Sequence, residues 1–174
     1  MKIKALFCDV DGTMTDGGIY VNASGGEAKR FSCKDGAGFH LLRKACPGIV
    51  IGMITGEKGG VNEARAKKLK VDYFVDGVND LDKLNFIKKI CFACNIELSE
   101  VAYIGDDHND LEALRAVGWP FCPEDAHFLV KNACNKIETN HKGSGVSVWM
   151  GGHGAVRWVC ERIIEINKGD SNGN

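Results

Sequence analysis

The sequence predicts an α/β fold, a Rossmann-like parallel sheet flanked by helices on both faces, and three observations carry that expectation. Short apolar runs of strand length alternate with stretches whose apolar residues recur at three- and four-residue steps. Three of those runs stop at acids or a hydroxyl, at Asp9, Thr55 and Asp106, as buried strands do where they feed polar turns at one edge of a sheet. A length of 174 residues, with 44% hydrophobic and 26% charged, matches one globular domain and excludes disorder of the bulk chain.

The elements follow in order. Ile3 to Cys8 is the first buried strand, ending at Asp9-Val10-Asp11-Gly12-Thr13. Residues 15–32 form a hairpin insertion, with Ile19-Tyr20-Val21 and Ala28 to Phe31 flanking the polar, glycine-bearing loop Asn22 to Gly26. Phe39, Leu41, Leu42 and Ala45 define a helix from Gly38, which Pro47-Gly48 terminates. Ile49 to Ile54 is the second buried strand and runs into Thr55-Gly56; a basic helix, Val61 to Leu69, follows. Tyr73 to Val75 is a short strand, Asp80 to Cys94 a helix carrying Lys83 near its start, and Val101 to Ile104 a strand leading into Gly105-Asp106-Asp107. A helix from Asn109 to Ala116, a strand near Trp119 to Cys122, a helix near Asp125 to Lys131 and a strand near Lys136-Ile137 complete the alternation. His141 to Gly154 is irregular and glycine-rich, and Val156 to Ile166 is an amphipathic helix. With no internal repeat and no linker, residues 1–168 form a single domain, and residues 169–174 are expected to be a disordered tail.

Composition narrows the function. The 22 Lys+Arg and 23 Asp+Glu leave a net charge of −1, so no global field attracts nucleic acid or an anionic membrane. The first apolar run is too short for a signal peptide, and no run nears the roughly 18 apolar residues of a membrane span, so a cytoplasmic location is expected. The eight cysteines are accordingly read as reduced thiols. Cys91-x-x-Cys94 lies in an apolar helix with no second ligand pair, which makes these two packing residues rather than zinc ligands. No cysteine is followed six positions later by arginine, so a cysteine-phosphatase loop is absent. His108 is read as a cap or a solvent-facing residue.

The loops after parallel strands converge where ligands bind. Asp9, Asp11, Asp106, Asp107 and Asp110 would repel one another there unless a cation held them, and hard oxygen donors suit Mg²⁺; Lys83 adds a positive charge nearby. Any one of these acids alone reads as a cap or a loop carboxylate. The ordered set does not: Asp-x-Asp-Gly-Thr after one strand, Thr-Gly after a second, a lysine, and Gly-Asp-Asp-x-x-Asp after another.

In that set, over nearly the whole chain, the sequence resembles the haloacid dehalogenase superfamily. The resemblance implies a phosphoaspartate mechanism in which Asp9 attacks phosphorus, while Asp11 protonates the leaving oxygen and then activates water. It implies that Thr55, the Gly56 amide and Lys83 bind the phosphoryl group. Mg²⁺ would sit on Asp9, the backbone carbonyl of Asp11 and Asp106, with Asp107 and Asp110 supporting it. An acid at position 11 favours hydrolysis over the pump and dehalogenase branches of the superfamily.

Only 46 positions separate Asp9 from Thr55 and 28 separate Thr55 from Lys83, too few for a cap domain of at least about 50 residues. A capless site must take a macromolecule or borrow a lid from a neighbouring subunit. The stretch from Asp9 to Gly18, the hairpin, Phe31 to Gly38, and Gly151-Gly152-His153-Gly154 to Arg157 resemble the capless phosphatases of 3-deoxy-2-ulosonic acid phosphates, which are homotetramers. Within that group the octulosonate 8-phosphate enzymes usually carry Arg after Thr-Gly. Here Glu57 stands in that place and Lys68 on the next helix, a pairing that resembles the 2-keto-3-deoxy-nononate 9-phosphate enzymes and makes that nine-carbon acid the first expectation, with the eight-carbon acid as the alternative. Lys34 and Arg157 are candidates for the substrate carboxylate, and His153 and the stretch 140–150 depart from the pattern. A non-catalytic oligomerisation module of the same fold is a further alternative, against which stands the presence of every catalytic position.

Overall fold

The computed structural model describes residues 2–79, 82–136 and 145–169. Four-residue runs of fully buried side chains make β1 (Ala5–Cys8), β6 (Val101–Ile104) and β7 (Trp119–Cys122), joined by β4 (Val50–Ile54), β5 (Tyr73–Val75) and β8 (Gly145–Val146) in one sheet of order β5-β4-β1-β6-β7-β8. All of its pairings are parallel, with Ala5 beside Val50 on one side and Val101 on the other. β2 (Thr15–Val21) and β3 (Glu27–Phe31) form a separate antiparallel ribbon.

Strand alternation sorts the core into two layers. Leu6, Cys8, Ala102 and Ile104 face α1 (Cys33–Ala45), α2 (Gly60–Leu69) and α6 (Ala155–Gly169). Ala5, Phe7, Val101 and Tyr103 face α3 (Asp82–Cys94), α4 (Leu111–Ala116) and α5 (Phe128–Lys136). Gly52 has to be glycine because a Cβ there would stand 2.4 Å from the Phe7 ring. The expected α/β class with helices on both faces is what the chain adopts, and no cap domain interrupts it among the described residues.

The chain leaves β1 for β4 and β5 on one side and returns to place β6 on the other. β1 and β6 therefore flank a topological switch point, where the carboxyl ends of adjacent strands open a crevice. Asp9 follows the first of those ends immediately, and Asp106 stands two residues beyond the second.

Some elements differ from expectation. α1 begins at Cys33, not Gly38, because Ser32 caps it, its hydroxyl accepting the Lys34 amide at 3.1 Å. The expected strand near Lys136-Ile137 is corrected: Lys136 ends α5, Ile137 lies outside the described residues, and the sixth strand is Gly145–Val146. The helix expected from Asn109 begins as a 3-10 turn, His108–Asp110, before α4. Asp80 and Leu81, at the expected start of the Lys83 helix, and the tail residues 170–174 lie outside the described residues. All eight cysteines are free.

Candidate active site

The loop after β1 is built by its own polar side chains. The Thr15 hydroxyl accepts the amides of Gly12 and Gly17, each at 3.2 Å, and donates to the Val10 carbonyl. Thr13 donates to Asp106 Oδ1 at 2.9 Å, tying the β1 loop to the β6 loop. Gly12, at φ +85°, has no alternative, since a Cβ would fall 2.1 Å from Asp106 Oδ2. The C-terminal glycines lock the loop from outside: Gly152 donates to the Thr13 carbonyl at 3.0 Å, and a Cβ on Gly151 would stand 1.8 Å from the Gly12 carbonyl oxygen.

Asp9 is buried, and one of its oxygens accepts Lys83 Nζ at 2.6 Å. The same ammonium donates to Asp110 Oδ1 at 2.7 Å, so α3 delivers a fully buried cation between two carboxylates. Burial opposes the charged form of Lys83, but Asp9 and Asp110 outweigh it and hold its pKa above that of an ordinary lysine. Asp110 also accepts the Tyr103 hydroxyl and the amides of Asp106 and Asp107, which makes it the hub that shapes the loop after β6. Both Asp110 oxygens thus already accept hydrogen bonds from within the protein.

Carboxylate oxygens of Asp9, Asp106 and Asp110 all lie within 4.8 Å of one another. Burial first, and then the Asp110 charge, push Asp9 well above the usual carboxylate range and lift Asp106 to about 7. Three acids against the one ammonium of Lys83 leave a negative excess among largely buried carboxylates, which a divalent cation would relieve. The donor set is all oxygen and fits Mg²⁺. Asp107, in contrast, is exposed and caps the following turn by accepting the His108 amide at 2.7 Å.

Asp11 is held at both oxygens. The Thr55 hydroxyl donates to Oδ2 at 3.2 Å, and Lys29 Nζ, arriving from β3, donates to Oδ1 at 2.7 Å. Lys29 also pairs with Glu57. Burial works against the Lys29 ammonium, but its bonds to Asp11 and Glu57 more than restore the charge. The Glu57 amide in turn donates to Thr55 Oγ1 at 3.2 Å, closing the turn through exposed Gly56.

The expected Glu57–Lys68 pair is not formed. Lys68 projects from the exposed face of α2, and the lysine on Glu57 comes from the hairpin instead. Lys34 lies over the Trp149 ring at 5.2 Å, and Arg157 bonds Glu161 at 2.6 Å one helical turn on. Neither is bonded to the Asp9–Asp11 loop. Thr13 belongs to the Asp-x-Asp-Gly-Thr motif, whereas two further residues of the constellation, Lys29 and Tyr103, stand in no motif. A buried tyrosine in an otherwise aliphatic strand, four residues short of Asp107, is a signal that could have pointed to a polar partner on the adjoining loop.

An acidic crevice at the switch point of a parallel sheet, with a buried lysine bridging two of its carboxylates, is the equipment of a metal-dependent phosphoric monoester hydrolase. Comparison with known proteins agrees. Residues 75–150 match the family model of the haloacid dehalogenase-like hydrolases. The 3-deoxy-D-manno-octulosonate 8-phosphate phosphatase of Yersinia pestis is 35% identical over 163 residues, covering 94% of this chain and 80% of that protein. The Haemophilus influenzae enzyme of the same name is 31% identical, covering 94% and 84%. The crystal structure of the Moraxella catarrhalis enzyme, solved with magnesium, phosphate and a KDO molecule, superposes with a TM-score of 0.84 at 34% identity over 97% of this chain and 90% of that one. This chain belongs to the haloacid dehalogenase superfamily, in its capless group of sugar phosphatases.

Proposed function

We propose that the enzyme removes the terminal phosphate of 3-deoxy-D-manno-octulosonate 8-phosphate through a phosphoaspartate on Asp9. Lys83 occupies Oδ1 of Asp9 and leaves the second oxygen to attack phosphorus, forming the Asp9 O–P bond as the bridging P–O bond breaks. Asp11 in its acid form gives a proton to the departing sugar oxygen and, as the carboxylate so formed, takes one from the water that cleaves the acyl phosphate. Thr55 and the Gly56 amide bind phosphoryl oxygens, and Lys83 offsets the repulsion between a carboxylate and an incoming phosphate dianion. Asp9, the Asp11 carbonyl and Asp106 would hold Mg²⁺, which would supply charge neutralisation at the phosphoryl group.

One observation carries the choice of substrate: the Yersinia pestis and Haemophilus influenzae relatives, each matched over most of both chains, are octulosonate 8-phosphate phosphatases. Glu57 after Thr-Gly favours the nine-carbon 2-keto-3-deoxy-nononate 9-phosphate as a second reading, since it replaces the expected cation with an acceptor for sugar hydroxyls. The active form is a homotetramer in which a neighbouring subunit covers the open site. The test is kcat/KM with Mg²⁺ on both sugar acids. The eight-carbon ester is expected to be preferred by at least about tenfold, a difference of 1.4 kcal/mol at the transition state. A reversed preference moves the enzyme to the nine-carbon reading, and turnover by an Asp9→Asn variant sinks the mechanism.

A further inference from the structure

Lys29 is the residue on the hairpin that least resembles its surroundings. The ribbon is exposed along most of both strands, yet the Lys29 side chain is only 3% accessible. Its ammonium is spent on two carboxylates from two other segments: Asp11 Oδ1 at 2.7 Å, from the loop after β1, and Glu57, from the turn after β4. Asp11 is otherwise poorly anchored. Its side chain is 30% accessible, and its other oxygen has only the Thr55 hydroxyl at 3.2 Å. Left to that one contact, the carboxylate would rotate about its Cβ–Cγ bond and lose part of the advantage of a fixed proton donor. Charge-assisted bonds from a nearly buried ammonium are short, strong and directional, so they fix the plane of the carboxylate.

We propose that Lys29 is a positioning residue for proton transfer by Asp11, with Glu57 as the outer anchor that keeps the ammonium in place. Lys29 touches neither phosphorus nor the leaving oxygen; it acts through Asp11. The inference rests on the assignment of Asp11 as the proton donor. It also gives the hairpin a part in the chemistry of its own subunit, beside any part in covering a neighbour's site.

A leaving-group comparison separates positioning from a merely structural role. A sugar alkoxide leaves only when protonated, whereas p-nitrophenolate leaves without a proton, and kcat/KM reports events up to leaving-group departure. Lys29→Met is expected to lower kcat/KM on the sugar phosphate by about 10²-fold, the scale of a positioned general acid, and on p-nitrophenyl phosphate by less than about threefold. The loss should fall on kcat with KM little changed, and Lys29→Arg should recover at least about a tenth of wild-type activity by restoring the cation. Equal losses on both substrates, or no loss on either, would overturn the proposal. Should Lys29→Met fail to fold, the Lys29→Met/Glu57→Gln double variant leaves only Asp11 to be solvated and carries the same comparison. Asp11→Asn must show the same split between the two substrates; if it does not, the assignment of Asp11 fails independently of Lys29. If another alkyl phosphate proves to be the preferred substrate, the octulosonate reading fails, and the comparison proceeds with that ester.

Discussion

Asp35 shows how one carboxylate can be sequestered for structure at a cost that pH reveals. It is fully buried, one oxygen accepts the Arg157 amide at 2.9 Å at the start of α6, and its other oxygen has no hydrogen-bond partner. Burial lifts its pKa to about 6; the Arg157 amide and the nearby Arg65 and His153 lower it only in part. The folded protein thus binds this proton more tightly than the unfolded chain does. Stability from this group is greatest below the unfolded pKa near 4 and declines as pH rises to about 6. Asp35→Asn keeps an acceptor for the cap and removes the charge. Relative to wild type, the variant should gain up to about 3 kcal/mol in urea-derived stability between pH 4 and pH 7.5, at 1.36 kcal/mol per pKa unit. A difference that stays flat with pH would show that Asp35 titrates normally. The sequence marks neither this residue nor Lys29, because Asp35 caps a helix that lies 122 positions away and Lys29 reaches Asp11 only once the ribbon folds over the β1 loop. Asp9, Asp11, Thr55, Lys83 and Asp106 were legible because each stands at a strand or helix end in an order the sheet then brings together.

At the scale of elements, legibility followed the periodicity of burial. The central strands are apolar runs sealed on both faces, and the sequence reveals them. The first turn of α1 is Cys-Lys-Asp-Gly-Ala, with no apolar period to betray it, and a two-residue strand such as β8 carries no pattern at all. The glycine-rich segment before α6 reads as irregular, but its irregularity is close packing against the catalytic loop. A methyl group on Gly151 would meet the Gly12 carbonyl at 1.8 Å and the Thr15 carbonyl at 3.0 Å. Gly151→Ala should therefore cost about 1–3 kcal/mol in stability, as overpacking does, and lower kcat as well because the loop that must yield carries Asp9 and Asp11. Gly60→Ala, with nothing within 4 Å at the first residue of α2, should be neutral or stabilising by up to about 1 kcal/mol. Paired thermal melts and steady-state assays check both, and unchanged activity in Gly151→Ala would mean that the glycine segment does not support the loop.

For the whole molecule, the open question is what shields a capless site from water. Phosphoryl transfer to Asp9 needs a dry crevice, yet the described chain provides no lid above Asp11, which keeps almost a third of its side chain exposed. The surface supplies a physical reason for self-association. Tyr20 and Val21 on the hairpin are 63% and 66% exposed, and Val148, Trp149 and Met150, just before the glycine segment, are exposed as well. Apolar residues concentrated on a projecting ribbon and on one loop are better covered by another copy than left in water, and closed symmetry lets the same two patches serve every subunit. For the proposed homotetramer, sedimentation of the wild-type enzyme should give about 76 kDa, four times the 18.9 kDa chain. Tyr20→Asp should shift that mass toward the monomer by placing a charge in the contact. Its kcat/KM on the sugar acid should fall at least tenfold while p-nitrophenyl phosphate, which needs no lid for recognition, loses much less. A wild-type monomer with full activity on the sugar acid would show that the site works uncovered, and the apolar ribbon would then need a different partner.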